Sequence, residues 1–129
     1  MPYRVTWEPR GAYTRLTEVV TGNCLLQNIN EICADPRFDT LRYHIIDCRN
    51  ADHFDVRDED LRNGSAMLIG AAQTNPDIKV AVVADAAPVQ ALWARLLKLG
   101  ITPYPPTIHR DLAAARKWID DAVGQNSRY

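Results

Sequence analysis

The amino-acid sequence predicts a single α/β domain: a mixed sheet, opened by an N-terminal hairpin and continued by parallel strands, with about four helices packed on it in the order ββαβαβαβα. Three observations lead there. A chain of 129 residues has room for one ordinary domain and not for two. Hydrophobic residues make up 47% of it and charged residues 24%, enough for a core without a metal or disulfide staple. Short apolar runs then alternate with segments of helical period along most of the length.

The first two strands are expected at Tyr3 to Glu8 and Ala12 to Val20, joined through Pro9-Arg10-Gly11. After Thr21-Gly22, Asn23 is placed to cap a helix whose Leu25, Leu26, Ile29, Ile32 and Cys33 share one arc, with Cys24 off that face. Pro36 stops it, and Leu41 to Cys48 is expected as a strand around Ile45-Ile46. Arg49 to Asp60 is rich in Asp and reads as a loop. The next helix runs from about Asp58 to Thr74, with Leu61, Ser65, Leu68 and Ala72 inward and Met67 and Ile69 on opposite flanks of that stripe. Lys79 to Ala84 contains Val-Ala-Val-Val, the run of a strand buried on both faces. Pro88 suits the first turn of a helix with Val89, Leu92, Trp93, Leu96 and Leu97 inward, which Gly100 ends. Ile101 to Pro105 is expected as an edge strand, since proline cannot donate to a ladder. Arg110 to Val123 makes the last helix, with Leu112, Ala115, Ile119 and Ala122 inward. The domain is expected to span 1–124 and the tail, 125–129, to fray.

With this order of elements, Asp35-Pro36-Arg37-Phe38-Asp39, Leu41-Arg42-Tyr43-His44-Ile45-Ile46-Asp47 and Val80-Ala81-Val82-Val83-Ala84-Asp85 make the chain resemble the SpoIIAA-like family of the STAS (sulfate transporter and anti-sigma factor antagonist) group. The resemblance covers nearly the whole chain and implies a single STAS-like domain. Antagonists of that group carry an Asp-Ser-Ser-Gly type motif at the start of the helix after the central strand, where a partner kinase phosphorylates the Ser. The matching stretch here is Asp55-Val56-Arg57-Asp58, in which neither Val56 nor Arg57 can accept phosphate.

Composition excludes several classes. The net charge is −1, without the basic excess that nucleic acid or an anionic membrane would favour, so no nucleic-acid partner is expected. The first eighteen residues carry Arg4, Glu8, Arg10, Arg15 and Glu18, and no apolar run reaches the ~18 residues of a membrane span, so a cytoplasmic protein with no transmembrane segment is expected. Cys24, Cys33 and Cys48 are an odd set. If the first two share a helix they face opposite ways, so reduced thiols are expected.

The acidic stretch from Asp47 to Asp60 holds six carboxylates against two arginines. It lacks the Gly and terminal Glu of an EF-hand loop, so no metal site is expected, and Asp55 or Asp58 is placed instead to cap the following helix. Ile46-Asp47-Cys48-Arg49-Asn50 resembles the opening of a rhodanese domain, but no Cys follows Cys48 to act as the nucleophile. His44, His53 and His109 show no zinc spacing, and there is no Walker loop, no G-x-G-x-x-G and no nucleophile elbow.

A non-enzymatic domain without catalytic residues or cofactor is therefore expected, binding a protein partner or a small apolar ligand in a regulatory role. A second copy of the chain is one such partner. The contact residues expected are His53, Phe54, Asp55, Asp58, Met67 and Ile69, because exposed apolar side chains beside an acidic loop mark a contact surface. The alternative, implied by the resemblance because some SpoIIAA-like relatives look like lipid-carrier folds, is a carrier or sensor of an apolar, lipid-like ligand with peripheral membrane association.

Overall fold

The computed structural model of the chain describes residues 2–124, and the tail expected at 125–129 lies outside the described residues. Strands β1 (Tyr3–Glu8) and β2 (Gly11–Thr21) form the antiparallel hairpin, turning at Pro9-Arg10. Helix α1 (Gly22–Ala34), a short 3₁₀ helix (Pro36–Thr40), β3 (Tyr43–Asp55), α2 (Asp58–Ala72), β4 (Lys79–Val83), α3 (Ala87–Leu99), β5 (Thr107–His109) and α4 (Leu112–Val123) follow. The five strands lie side by side in chain order, and β2 to β5 are all parallel.

Parallel neighbours added in one direction through right-handed crossovers put their helices on one face. Accordingly Leu16, Val20, Ile46 and Val82 pack with Leu61 of α2 and with Leu92 and Trp93 of α3, while Ala12, Phe38 and Leu41 pack with Ile32 of α1. The strands alternate, so Ile45, Ala81 and Val83 meet Ala115 and Ile119 of α4 on the other face. Three loops are tied by Asn75, whose Nδ2 donates to the carbonyls of Phe38 and Leu41 at 2.8 Å each and whose own carbonyl accepts from the Tyr104 hydroxyl.

Several expected boundaries are corrected. Arg49 to Asp55 is strand rather than loop, because the second half of β2 offers it a partner as far as Thr21↔Asp55. The last strand is Thr107–His109 rather than Ile101 to Pro105. Tyr104 is buried and turned inward to Asn75, so the ladder begins after the last proline of the run, and β5 is an edge strand as expected. Thr21, not Asn23, caps α1, its Oγ1 accepting from Cys24 N–H at 3.2 Å. Arg57 occupies the cap position of α2, where Asp60 Oδ2 accepts its backbone N–H at 2.9 Å; Asp55 is still in the strand and Asp58 is already in the helix. Leu97 and Ala122, expected inward, are exposed. Cys24, expected off the apolar face, is half-buried against the core, and Cys33, expected in it, is half-buried at its margin. Gly100 ends α3 in the left-handed region, φ 66°, as its place in the sequence predicts.

Candidate functional site

The geometry that distinguishes this domain lies at the end of the sheet. β1 pairs with β2 only as far as Leu16, and β4 with β3 only as far as Asp47. Beyond those points β2 and β3 continue together as a two-stranded ribbon that runs straight into the start of α2. A bulge interrupts the ribbon between Glu18 and Val19, with Glu18 at φ 59°. Past it, Val20 and Phe54 lie opposite each other and pack on the core, while Val19 and His53 lie opposite each other and are exposed. Val19, at 51% exposure, is the most open large apolar side chain among the described residues.

The structure brings four of the six expected contact residues together and divides the other two. His53, Asp55 and Asp58 are exposed at the ribbon tip and the first turn of α2; Phe54 is among them but half-buried. Asp58 Oδ1 pairs with Arg95 Nε of α3 at 2.6 Å, and Arg95 also donates to the Val56 carbonyl, which fixes α3 beside this tip. Met67 and Ile69 are 37% and 49% exposed, more open than Leu61, Leu68 and Ala72, as the helical wheel predicts. Eleven residues past Asp58, Ile69 returns to within about 20° of the same line along the helix, roughly 16 Å away. It therefore shares the α3-side flank with Asp58. Met67 falls on the other flank, at a groove of about 410 Å³ that it shares with Asn30, Cys33 and Phe38.

No protein-family model matches the chain, and no curated protein matches it. Solved structures do. The anti-sigma factor antagonist SpoIIAA in its unphosphorylated form superposes with a TM-score of 0.59 at 10% identity, over 95% of this chain and 98% of that one. The phosphorylated form of SpoIIAA, a Bacillus cell fate determinant, gives 0.55 at 9% identity over 90% and 98%. An uncharacterized protein of the DUF3478 family with a SpoIIAA-like fold, from Shewanella loihica PV-4, gives 0.53 at 12% identity over 91% of each chain. The chain has a SpoIIAA-like, STAS-type fold.

Within this SpoIIAA-like fold Cys33, Cys48, Asp47 and Glu8 are committed to structure. Burial pushes the Cys48 thiol up to about 12, which removes the thiolate that nucleophilic chemistry needs, and burial raises Cys33 as well. Burial also raises Asp47, but the Arg49 guanidinium, bonded through both nitrogens at 2.9 and 2.8 Å, and the Tyr13 hydroxyl outweigh it and hold the carboxyl below its ordinary range. A second network ties the hairpin to α4: Arg116 forks onto Glu8 at 2.6 and 2.7 Å, and Tyr43 donates to the same carboxylate. Both networks lie on the α4 face, away from the ribbon tip. Among the described residues no group of three or more His, Cys, Asp or Glu side chains could hold a metal ion, and no helix is long and apolar enough to cross a membrane.

Sequence reasoning missed Val19. A strand buried on one face alternates, so of two adjacent valines only one can face in, and the pair Val19-Val20 was the available signal.

Proposed function

We propose that this STAS-like domain is a non-enzymatic binding module that docks a protein partner, in a regulatory role, through the ribbon tip and the α3-side flank of α2. The observation that carries the reading is the projecting ribbon itself. It presents Val19 and His53 on one face, leads into exposed Asp55 and Asp58, and continues along α2 to Ile69. Apolar side chains flanked by Asp55 and by the Asp58–Arg95 pair suit a partner surface with an apolar centre and a polar rim. SpoIIAA, whose fold this is, is an antagonist of an anti-sigma factor and so acts through another protein. Val56 and Arg57 stand at the start of α2, so docking here is governed by occupancy rather than by phosphate at those positions.

The test is affinity capture from the cells that make the protein, comparing wild type with a Val19→Ser, His53→Ala, Ile69→Glu variant shown to be folded by circular dichroism. A partner held by the wild type and lost by the variant is the expected result. Equal retention would remove docking from this surface, and a constant mass of two chains in both proteins would show that a second copy binds elsewhere.

A further inference from the structure

The two faces of the sheet are roofed differently. α4 lays Ala115, which has no exposed surface, on Ile45, Ala81 and Val83, so helix and sheet approach closely. On the other face longer side chains span the gap, and a cavity of about 100 Å³ remains between the sheet and α1, α2 and α3. Ile29, Ile46, Leu61, Leu68, Val80 and Trp93 supply apolar wall. An apolar cavity of ~150 Å³ holds the six heavy atoms of benzene, so on the same scale this one has room for about four to five. A lipid chain needs several times that volume, since pockets for drug-sized ligands run to ~300–1,000 Å³.

The polar groups on the walls are few and mostly spoken for. Thr14 Oγ1 donates to Asn28 Oδ1 at 3.2 Å and meets His44 Nε2 at 2.7 Å, which engages both cavity-lining residues. Asp60 caps α2. Ser65, 2% exposed, supplies a hydroxyl on the α2 wall. Trp93 carries the one buried side-chain nitrogen or oxygen without a hydrogen-bond partner among the described residues, its indole N–H, and the nearby Cys48 sulfur is too weak an acceptor to satisfy it. The surface groove beside Met67 shares Cys33 and Phe38 with the cavity, so these two side chains stand between them.

We propose that this cavity binds a small neutral molecule of about four to five heavy atoms, a branched aliphatic body with one hydroxyl or carbonyl that hydrogen-bonds Ser65 Oγ. An anionic group finds no cation on these walls and meets the Asp60 carboxylate there, so it would enter at a desolvation cost nothing offsets. The site is separate from the docking surface and stands or falls without it.

The test is a methyl-resolved NMR titration of the full chain with xenon, 2-methylpropan-1-ol, isobutyrate and 1-octanol. Saturable shifts at Ile29, Leu61 and Leu68 are expected with xenon and 2-methylpropan-1-ol and not with the other two. Ser65→Ala should weaken the alcohol about fivefold and leave xenon unchanged. Ser65→Leu should fill the space and abolish both; should that variant not fold, the Ser65→Ala comparison decides alone. Absence of saturable shifts, equal or tighter binding of isobutyrate or 1-octanol, or an unchanged alcohol affinity in Ser65→Ala would each overturn the proposal.

Discussion

Thr14 of β2 and His44 of β3 meet under α1, Oγ1 to Nε2 at 2.7 Å. Thr14 Oγ1 also lies 3.2 Å from Asn28 Oδ1, so one hydroxyl links the imidazole of β3 to α1. Burial depresses the imidazole to about 4.

That depression has a signed consequence. Above about pH 6.5 the imidazole is neutral in both folded and unfolded chains, and its contribution is complete. As the pH falls toward 4, the unfolded chain takes up a proton that the folded chain refuses, and stability is lost, by on the order of 3 kcal/mol from this group. Urea unfolding of wild type and His44→Gln at pH 7, 5.5 and 4 measures it. The wild type should lose more stability than the variant between pH 7 and 4, and parallel curves would contradict the account.

Asp47 is 1% exposed and bonded to Arg49 and Tyr13. Asp47→Asn removes the charge that both partners address while Arg49 stays in place. A loss of about 2–4 kcal/mol in urea unfolding is expected. Arg49 is about one-third exposed and water can take over its bonds, so Arg49→Ala should cost less.

Gly11 is pressed against the ring of Tyr43: a Cβ there would stand 2.0 Å from Tyr43 Cζ. Gly11→Ala therefore forces the ring aside and breaks its hydrogen bond to Glu8, for a loss of about 1–2 kcal/mol. In a Tyr43→Ala background most of that loss should disappear, which a double-mutant cycle reads directly.

The exposed and half-buried members of the candidate surface should separate cleanly. Ile69→Glu should change stability by no more than about 0.5 kcal/mol, because the side chain is 49% exposed. Phe54→Ala removes packing on the core cluster and should cost about 1–2 kcal/mol, measured by thermal unfolding, while altering partner binding less than Ile69→Glu does.

The order of elements was legible because burial writes itself into residue choice. β4 is covered on both faces and shows an unbroken apolar run, and α1 and α3 show apolar arcs matched to what they cover. The second half of β3 was hidden for the opposite reason. Its partner is β2 alone and Asp52, His53 and Asp55 point to solvent, so nothing apolar repeats with period two. At β5 the prolines marked an edge correctly, but the anchoring of Tyr104 on Asn75, a contact across 29 residues, decided where pairing could start. The cavity could not be read at all. Its walls come from strands and three helices, and Leu61 or Ile29 looks the same in sequence whether it meets another side chain or a void.

Hydrogen–deuterium exchange on the captured complex tests the docking reading most directly. Binding should slow exchange in the ribbon amides, at residues 18–21 and 50–55, and along the first three turns of α2, with α4 unchanged. Protection confined to α4 and the β1–β2 hairpin, with the ribbon as open as in the free chain, would contradict it.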